Sequence, residues 1–199
     1  MNTEMNTDLT LHRVWQLGAD IDTDVLAPGH AMKYGIATIA RHCLESVRPE
    51  FAAQVQRGDV VVAGPNFGIG SSREQAASVL VELGVAAVIA ASFSGLYFRN
   101  AFNVGLLLLT CAQAETLQEG EHIVLDGEGR FVQGQDGRRL ACEPIPDFLM
   151  QMVRNGGLLP TLRQRLERER ELAREHAATT STSTSTSTPI QSSTRSPAP

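Results

Sequence analysis

Residues Asp59–Glu74, which read DVVVAGPNFGIGSSRE, decide the fold. The apolar run Asp59–Ala63 has the length of a buried strand, and the Gly64-Pro65 pair ends it. The next segment, Ser72–Leu83, places apolar residues at helical spacing, and Gly84 follows as a stop signal. The sequence therefore predicts a strand, a glycine-rich turn and a helix in direct succession, which is the beginning of a βαβ unit.

Strands and helices continue to alternate on both sides of this stretch. Downstream, the sequence predicts a second buried strand at Val85–Ala91, a helix at Leu96–Asn103 and a third strand at Leu106–Leu109. Upstream, it predicts a strand at Leu11–Leu17 and short helices at Ile36–His42 and Pro49–Gln56. Asp-Gly turns within residues 121–140 indicate antiparallel strands. We expect one α/β domain, a parallel sheet with a β-rich addition.

The end of the chain differs in composition from the body. Residues 160–177 are dense in Arg and Glu, which predicts an exposed charged helix, with a partner-binding helix as the alternative. Residues 178–199 alternate Ser and Thr without any apolar period, which predicts a disordered tail. The expected organisation is therefore a domain over 11–159, the charged helix and the tail.

Composition excludes several classes of protein. With 42% hydrophobic residues among 199, the chain can build a core. A net charge of −5 gives no electrostatic footprint for nucleic acid or anionic lipid, and no run reaches the roughly 20 apolar residues of a membrane span. The polar N-terminus lacks the pattern of a signal peptide, so we expect a cytoplasmic protein with neither nucleic acid nor membrane as partner. Three scattered cysteines predict neither a disulfide framework nor a metal site built from this chain alone.

The glycine-rich turn carries the residues typical of an anion site. Glycine at 64, 68 and 70 lets the backbone approach a ligand closely. Ser71 or Ser72 is expected where the helix begins, so that free N–H groups and the helix dipole would favour an anion. Arg73 adds a planar fork suited to carboxylates. A carboxylate or phosphate site is one reading; a serine that only caps the helix is the other. The Walker A, dinucleotide and nucleophile-elbow patterns do not match.

A second acidic segment, Asp20-Ile21-Asp22-Thr23-Asp24, precedes the turn. Its alternating aspartates suggest the start of a calcium loop, but Val25 and Ala31 stand where that loop needs Gly and Glu. Calcium is therefore not expected. We predict a turn-rich loop capped by aspartates that folds over the ligand site.

Together these segments resemble the small subunit of the isopropylmalate isomerase and homoaconitase group, which is equivalent to the swivel domain of aconitase. The matching elements are Asp20–Val25 with Pro28, Asn66–Glu74, Val88–Ala90 with Ser92-Phe93, Phe98–Asn100, and Asn103 through Leu106. Their order and spacing agree over residues 11–159. The resemblance implies a single swivelling β/β/α domain.

The resemblance also implies a function. Members of this family are small subunits of hydro-lyases that move water on hydroxylated di- or tricarboxylates, and a separate large subunit carries a [4Fe–4S] cluster. The family's functional residues match positions in this sequence. The resemblance therefore implies that Ser71 is the base that removes a proton from the substrate, and that Gly70, Ser72 and Arg73 bind the substrate. The expected activity is that of a 3-isopropylmalate dehydratase in leucine biosynthesis, inactive without the large subunit. Alternatives are a hydratase for homoaconitate or a methyl-substituted malate or maleate, and a non-catalytic carboxylate-binding module.

The chain departs from the family pattern in two places. Gln75 follows Arg73-Glu74 where the family usually has His, and the loop Pro28–Gly35 lacks the usual Tyr-Leu stretch. On that loop, His30 or Lys33 would contact a distal carboxylate of the substrate, or both would be solvated loop residues.

Overall fold

A computed structural model describes residues 10–182, with side-chain surroundings through residue 176. Its centre is a seven-stranded sheet in the order β4-β3-β2-β1-β5-β6-β7. Four neighbouring strands are parallel: β1 (His12–Gln16), β2 (Val60–Ala63), β3 (Ala87–Ala90) and β4 (Leu107–Thr110). The remaining three are antiparallel: β5 (His122–Leu125), β6 (Phe131–Gly134) and β7 (Arg139–Ala141). This mixed architecture confirms the predicted parallel sheet with its β-rich addition.

Helices connect the parallel strands. Between β1 and β2 lie α1 (Thr23–Leu26), α2 (Ile36–Ala40) and α3 (Phe51–Gln54), with a 3-10 turn at Gly29–Ala31. The next two crossovers are α4 (Gln75–Glu82) and α5 (Gly95–Asn103). A second 3-10 turn, Ala114–Thr116, follows β4, and α6 (Asp147–Arg154) and α7 (Leu158–Thr182) follow the antiparallel strands.

Both faces of the parallel strands are covered, which explains their uninterrupted apolar sequences. On one face, Val61 and Ala63 of β2 pack with buried residues of α4 and α5, among them Leu80 and Phe102. On the other face, Val60 and Val62 join a second cluster, whose further members include Leu117, Ile123 and Val132. Because the side chains of a strand alternate between faces, a strand buried on both sides must be apolar at every position.

Helices α4, α6 and α7 differ from the sequence prediction. Helix α4 begins at Gln75, three residues later than predicted, so neither Ser71 nor Ser72 caps it. The cause is the preceding loop: Gly70 has a φ of +98°, and the Ser71 backbone N–H donates outside the helix, to the Thr23 hydroxyl. Helix α6 was not predicted; its segment DFLMQMVR is short, eight residues, and buries Met150 and Met152.

The C-terminal helix is longer than predicted. It begins at Leu158 and runs to Thr182, so residues 178–182, placed in the tail by sequence, are helical. Adding residues to an existing helix is cheap, and alanine, which occupies 177 and 178, is the best helix former. The predicted disorder of 183–199 lies outside the described residues. From Leu162 onward the chain forms a unit of its own. None of the helices within residues 10–182 has the length and apolarity needed to cross a membrane.

Candidate functional site

Three loops meet at the carboxyl edge of the parallel strands, where α/β sheets commonly bind ligands. The loop that follows β2, Gly64–Arg73, is here called the rim loop. Isolated parallel bridges join it to both neighbours, Asp22 to Ile69 on the β1 side and Phe67 to Phe93 on the β3 side. The strand order of the sheet therefore continues past the strands into the loops.

Backbone hydrogen bonds fix the rim loop from both sides. On the β1 side, the Gly68 N–H donates to the Ile21 carbonyl at 2.7 Å. On the β3 side, the Phe67 N–H donates to the Ser92 carbonyl at 3.0 Å. Further bonds run from Thr23 N–H to the Ile69 carbonyl and from Ser94 N–H to the Phe67 carbonyl, both at 2.9 Å. The loop is a fixed part of the fold.

Two glycines of the rim loop are required by their surroundings. Gly68 has a φ of +78°, and a Cβ there would lie 2.1 Å from Cγ of the buried Tyr97 ring. Gly70 has a φ of +98°, and a Cβ there would come within 3.1 Å of the Thr23 hydroxyl. Both positions combine a left-handed backbone with a close neighbour, which only glycine accepts without cost.

Ser71 and Ser72 are exposed at the end of the rim loop. The Ser71 backbone N–H donates to the hydroxyl of the buried Thr23 at 3.0 Å, which fixes the backbone. Within the described part of the chain, neither serine hydroxyl has a hydrogen-bond partner. Both hydroxyls are therefore free to contact a ligand while the backbone that carries them is held.

Arg73 is half-buried and tied to the loop that follows β1. Its guanidinium forms an ion pair with Asp24 and donates to the Ala27 carbonyl at 3.0 Å. Asp24 is largely exposed, so its carboxylate remains open to water on its other side. A guanidinium has five N–H donors, and two partners leave donors for a further carboxylate.

The other two aspartates of the acidic segment are structural. The Asp22 carboxylate accepts from the Val25 N–H at 2.7 Å and caps α1, which confirms the predicted aspartate cap. Asp20 accepts from the side-chain amide of Asn66 at 2.8 Å. Asn66, like Asp20, has a positive φ, which Asn and Asp tolerate better than most residues. Sequence reasoning missed Thr23 and Asn66; the one signal for Asn66 was its position in a glycine-rich turn.

His30 and Lys33 lie on the segment after α1 and have local contacts. His30 Nε2 lies 3.3 Å from a Glu45 carboxylate oxygen. The Lys33 ammonium lies 5.1 Å from the centre of the Tyr34 ring. Among the described residues, neither side chain forms a hydrogen bond or ion pair with the rim loop.

The three cysteines do not form a cluster-binding set. Cys43 is buried, and this burial raises the pKa of its thiol. Cys111 and Cys142 are neighbours, and the hydrogen bond from Cys142 lowers the pKa of the Cys111 thiol. An iron–sulfur cluster needs three or four converging thiolates, and this chain brings only two together.

Comparison with known proteins agrees with this arrangement. Residues 33–114, which include the rim loop, match the family model of the aconitase C-terminal domain. The chain is 42% identical over 161 residues, 78% of its length, to 3-isopropylmalate dehydratase small subunit 1 of Archaeoglobus fulgidus, of which it covers 98%. It is 39% identical over 150 residues, 74% of its length, to the homoaconitase small subunit of Methanothermobacter thermautotrophicus, of which it covers 86%.

The fold is similar to that of a solved relative. The crystal structure of 3-isopropylmalate dehydratase from Methanocaldococcus jannaschii superposes with a TM-score of 0.76 at 32% sequence identity. The match covers 81% of this chain and 97% of the solved one. Identity at this level over nearly the whole length of its relatives places the chain among them: it belongs to the family of 3-isopropylmalate dehydratase small subunits, which carry the aconitase C-terminal domain.

Proposed function

We propose that this chain is the small subunit of a two-chain hydro-lyase that dehydrates and rehydrates a substituted malate, with 3-isopropylmalate as the substrate. The observation that carries the proposal is the pair of exposed hydroxyls of Ser71 and Ser72, which have no hydrogen-bond partner among residues 10–176, next in sequence to the anchored guanidinium of Arg73. The curated relatives in several organisms bear the name of this enzyme's small subunit, which supports the choice of substrate.

Ser71 is the proposed base. As an alkoxide, its oxygen would take a proton from the substrate carbon next to a carboxylate. The electron pair of that C–H bond forms the alkene, the C–O bond of the adjacent carbon breaks to release hydroxide, and a neutral serine remains. Hydration is the reverse. A serine hydroxyl is a very weak base in water, so the alkoxide needs positive charge nearby and the exclusion of solvent. Since α4 begins at Gln75, we assign this role to the positive charge of Arg73, two residues further along the chain, rather than to the helix terminus.

Ser72, Gly70 and Arg73 are proposed to hold the substrate carboxylates. Ser72 offers a hydroxyl, and Gly70 offers an exposed backbone that no side chain covers. Arg73 offers the guanidinium N–H donors that are not used by Asp24 and the Ala27 carbonyl. Because these groups lie on a loop held by backbone bonds from both sides, little order has to be created when substrate binds.

The site is proposed to be completed by a large subunit. Ser71 is exposed in this chain, whereas its chemistry requires a water-excluded cleft. The cysteines of this chain do not fit a [4Fe–4S] cluster, so we place that cluster on the large subunit and assign no step of this chain to it. The isolated small subunit would therefore be inactive. We propose that the complex works in the cytoplasm.

Homoaconitate is the second candidate substrate. It is favoured by the 39% identity to a methanogen homoaconitase small subunit and by the two side chains His30 and Lys33 on residues 28–35. A cation there would attract the third carboxylate of homoaconitate, whereas it would not attract the uncharged isopropyl group of 3-isopropylmalate.

The test is an anaerobic reconstitution of this chain with its large subunit. We expect turnover of 3-isopropylmalate, and we expect Ser71→Ala to lower kcat by about 10³-fold, within the range for loss of a general base. Ser78→Ala is the matched control, because that hydroxyl only donates to the Glu74 carbonyl within α4. Arg73→Ala should raise KM, because a carboxylate contact is lost, and should also lower kcat, because the charge that favours the Ser71 alkoxide is removed. Full activity of the Ser71 variant would contradict the assigned base.

A substrate panel separates the alternatives. Turnover of homoaconitate but not of 3-isopropylmalate would select the second candidate. Tight binding of dicarboxylates by the isolated chain, with no turnover in the complex, would instead establish a carboxylate-binding module.

A further inference from the structure

We propose that His30, His42 and Glu45 form a binding site for a divalent transition-metal ion of the Zn²⁺ class. The three side chains come from two separate segments, the 3-10 turn Gly29–Ala31 and the turns after α2. This site is distinct from the rim-loop serines, and the inference does not depend on the proposed reaction. With His30 as a metal ligand, contact with the third carboxylate of the second candidate substrate would be left to Lys33.

The donor atoms already converge. One donor atom from each residue lies within 4.8 Å of the others. His30 Nε2 is 3.3 Å from one Glu45 oxygen, and His42 Nδ1 is 2.7 Å from the other. Ligand atoms of a tetrahedral zinc ion lie about 3.3 Å apart, given metal–ligand bonds of about 2.0–2.1 Å. The distance from His30 to Glu45 already matches this spacing, and the distance from His42 to Glu45 has to widen by about 0.6 Å when a metal ion replaces the hydrogen bond.

The framework beneath the cluster is rigid. The neighbours Ala31, Cys43 and Leu44 are buried in the core, so the backbones that carry the three ligands are fixed. The Leu44 N–H donates to the Val25 carbonyl at 2.9 Å and ties the second segment to α1. Ligands on a preformed framework lose less conformational entropy when they bind a metal.

The ligand set selects the kind of metal. Two imidazoles and one carboxylate suit Zn²⁺ and its neighbours in the first transition row, whereas Ca²⁺ and Mg²⁺ prefer oxygen ligands alone. The His30 side chain is 60% exposed and those of His42 and Glu45 are 38% exposed. Water can therefore occupy the remaining coordination position, which a closed structural site would not allow.

A bound metal ion would reduce the mobility of the segment Ala27–His30, which contacts Arg73. His30 follows Ala27 by three residues, and the Ala27 carbonyl accepts a hydrogen bond from Arg73. A metal ion that joins His30 to His42 would hold that segment against the turns after α2. The sequence did not predict this site, because the two histidines lie twelve positions apart and only the fold brings them together.

The test is a calorimetric titration of the full chain, reduced and free of metal, with ZnCl₂. We expect one ion per chain, and we expect His42→Ala and Glu45→Gln each to weaken binding by at least about 100-fold, more than loss of a residue that merely orients a ligand. His122→Ala, at an exposed histidine of β5, and Cys142→Ser are the matched controls and should bind normally.

Two outcomes would overturn the site. The first is the absence of stoichiometric zinc binding; the second is binding that survives both ligand variants or disappears with Cys142→Ser. If His42→Ala fails to fold, His30→Ala replaces it, because that side chain is the most exposed of the three. Imidazole ¹⁵N NMR gives an independent readout: the ring signals of His30 and His42 should shift with zinc while that of His122 does not.

Discussion

At the scale of single residues, Asp59 shows how the chain accommodates a buried charge. It is 5% exposed and accepts from the Trp15 indole at 2.8 Å, the Gln56 N–H at 2.9 Å and the Arg13 guanidinium. Burial by itself raises the pKa of a carboxyl group, but the hydrogen bonds from Arg13, Gln56 and Trp15 together outweigh it and lower the pKa of Asp59. The residue thereby joins β1, the end of α3 and the start of β2.

Asp59→Asn should therefore destabilise the fold. The amide cannot accept all the donors that meet there, so we expect a loss of about 2 kcal/mol in the free energy of unfolding. Urea denaturation at neutral pH measures this change in the free energy of unfolding. The control is Asp147→Asn, a substitution of an exposed aspartate. An equal effect of both substitutions would contradict the assigned role.

The same carboxylate predicts a dependence on pH. Because its pKa is lower in the folded than in the unfolded chain, its stabilisation is complete above about pH 4, the ordinary value for an aspartate, and is lost as the pH falls through the folded value. The difference in stability between wild type and Asp59→Asn should shrink accordingly in acid.

At the scale of elements, the rim loop and α5 must fit each other. Gly68→Ala places a methyl group against the Tyr97 ring of α5, which is buried and aromatic and cannot easily move away. We expect a loss of about 3 kcal/mol, from overpacking added to the left-handed backbone.

Gly58→Ala is the matched control for that substitution. Gly58 has a φ of +95° but nothing within 4 Å of its missing Cβ, so the cost should be about 1 kcal/mol of backbone strain alone. Thermal or urea denaturation compares the two variants. Equal losses would show that Tyr97 does not restrict the loop.

The elements also show what sequence can and cannot predict here. The strands Val60–Ala63 and Ala87–Ala90 were predictable because burial on both faces leaves a continuous apolar run. The start of α4 was not, because it depends on the Thr23 hydroxyl, 48 residues away in sequence, which binds the Ser71 N–H. Periodicity carries no information about such a contact.

The residues of the candidate site also divide into those that the sequence predicted and those that only the structure revealed. Ser71, Ser72 and Arg73 were singled out by their sequence motif and by family resemblance, and their substrate roles stay predictions. The partners that hold them, Thr23, Asp24 and Ala27, became visible only when the loops after β1 and β2 were placed side by side.

At the scale of the whole molecule, the core lies within residues 10–161, and the charged helix continues beyond it as a separate unit. Removal of residues 183–199, a segment with no apolar period, should leave assembly with the large subunit and turnover unchanged. Size-exclusion chromatography and the activity assay of the truncated complex measure both. Lost assembly would assign the segment a role in binding the partner.

The way the rim loop is fastened has a consequence for how such enzymes diversify. Main-chain bonds to Ile21, Thr23 and Ser92 hold it, and the Thr23 hydroxyl holds the Ser71 N–H, so none of these partners lies within residues 28–35. The segment at 28–35 can therefore accumulate substitutions without displacing Ser71. If Ser71 supplies the chemistry and residues 28–35 choose the substrate, as proposed above, these two tasks belong to separate parts of one chain, and exchange of residues 28–35 between family members should alter specificity while the rim loop is retained.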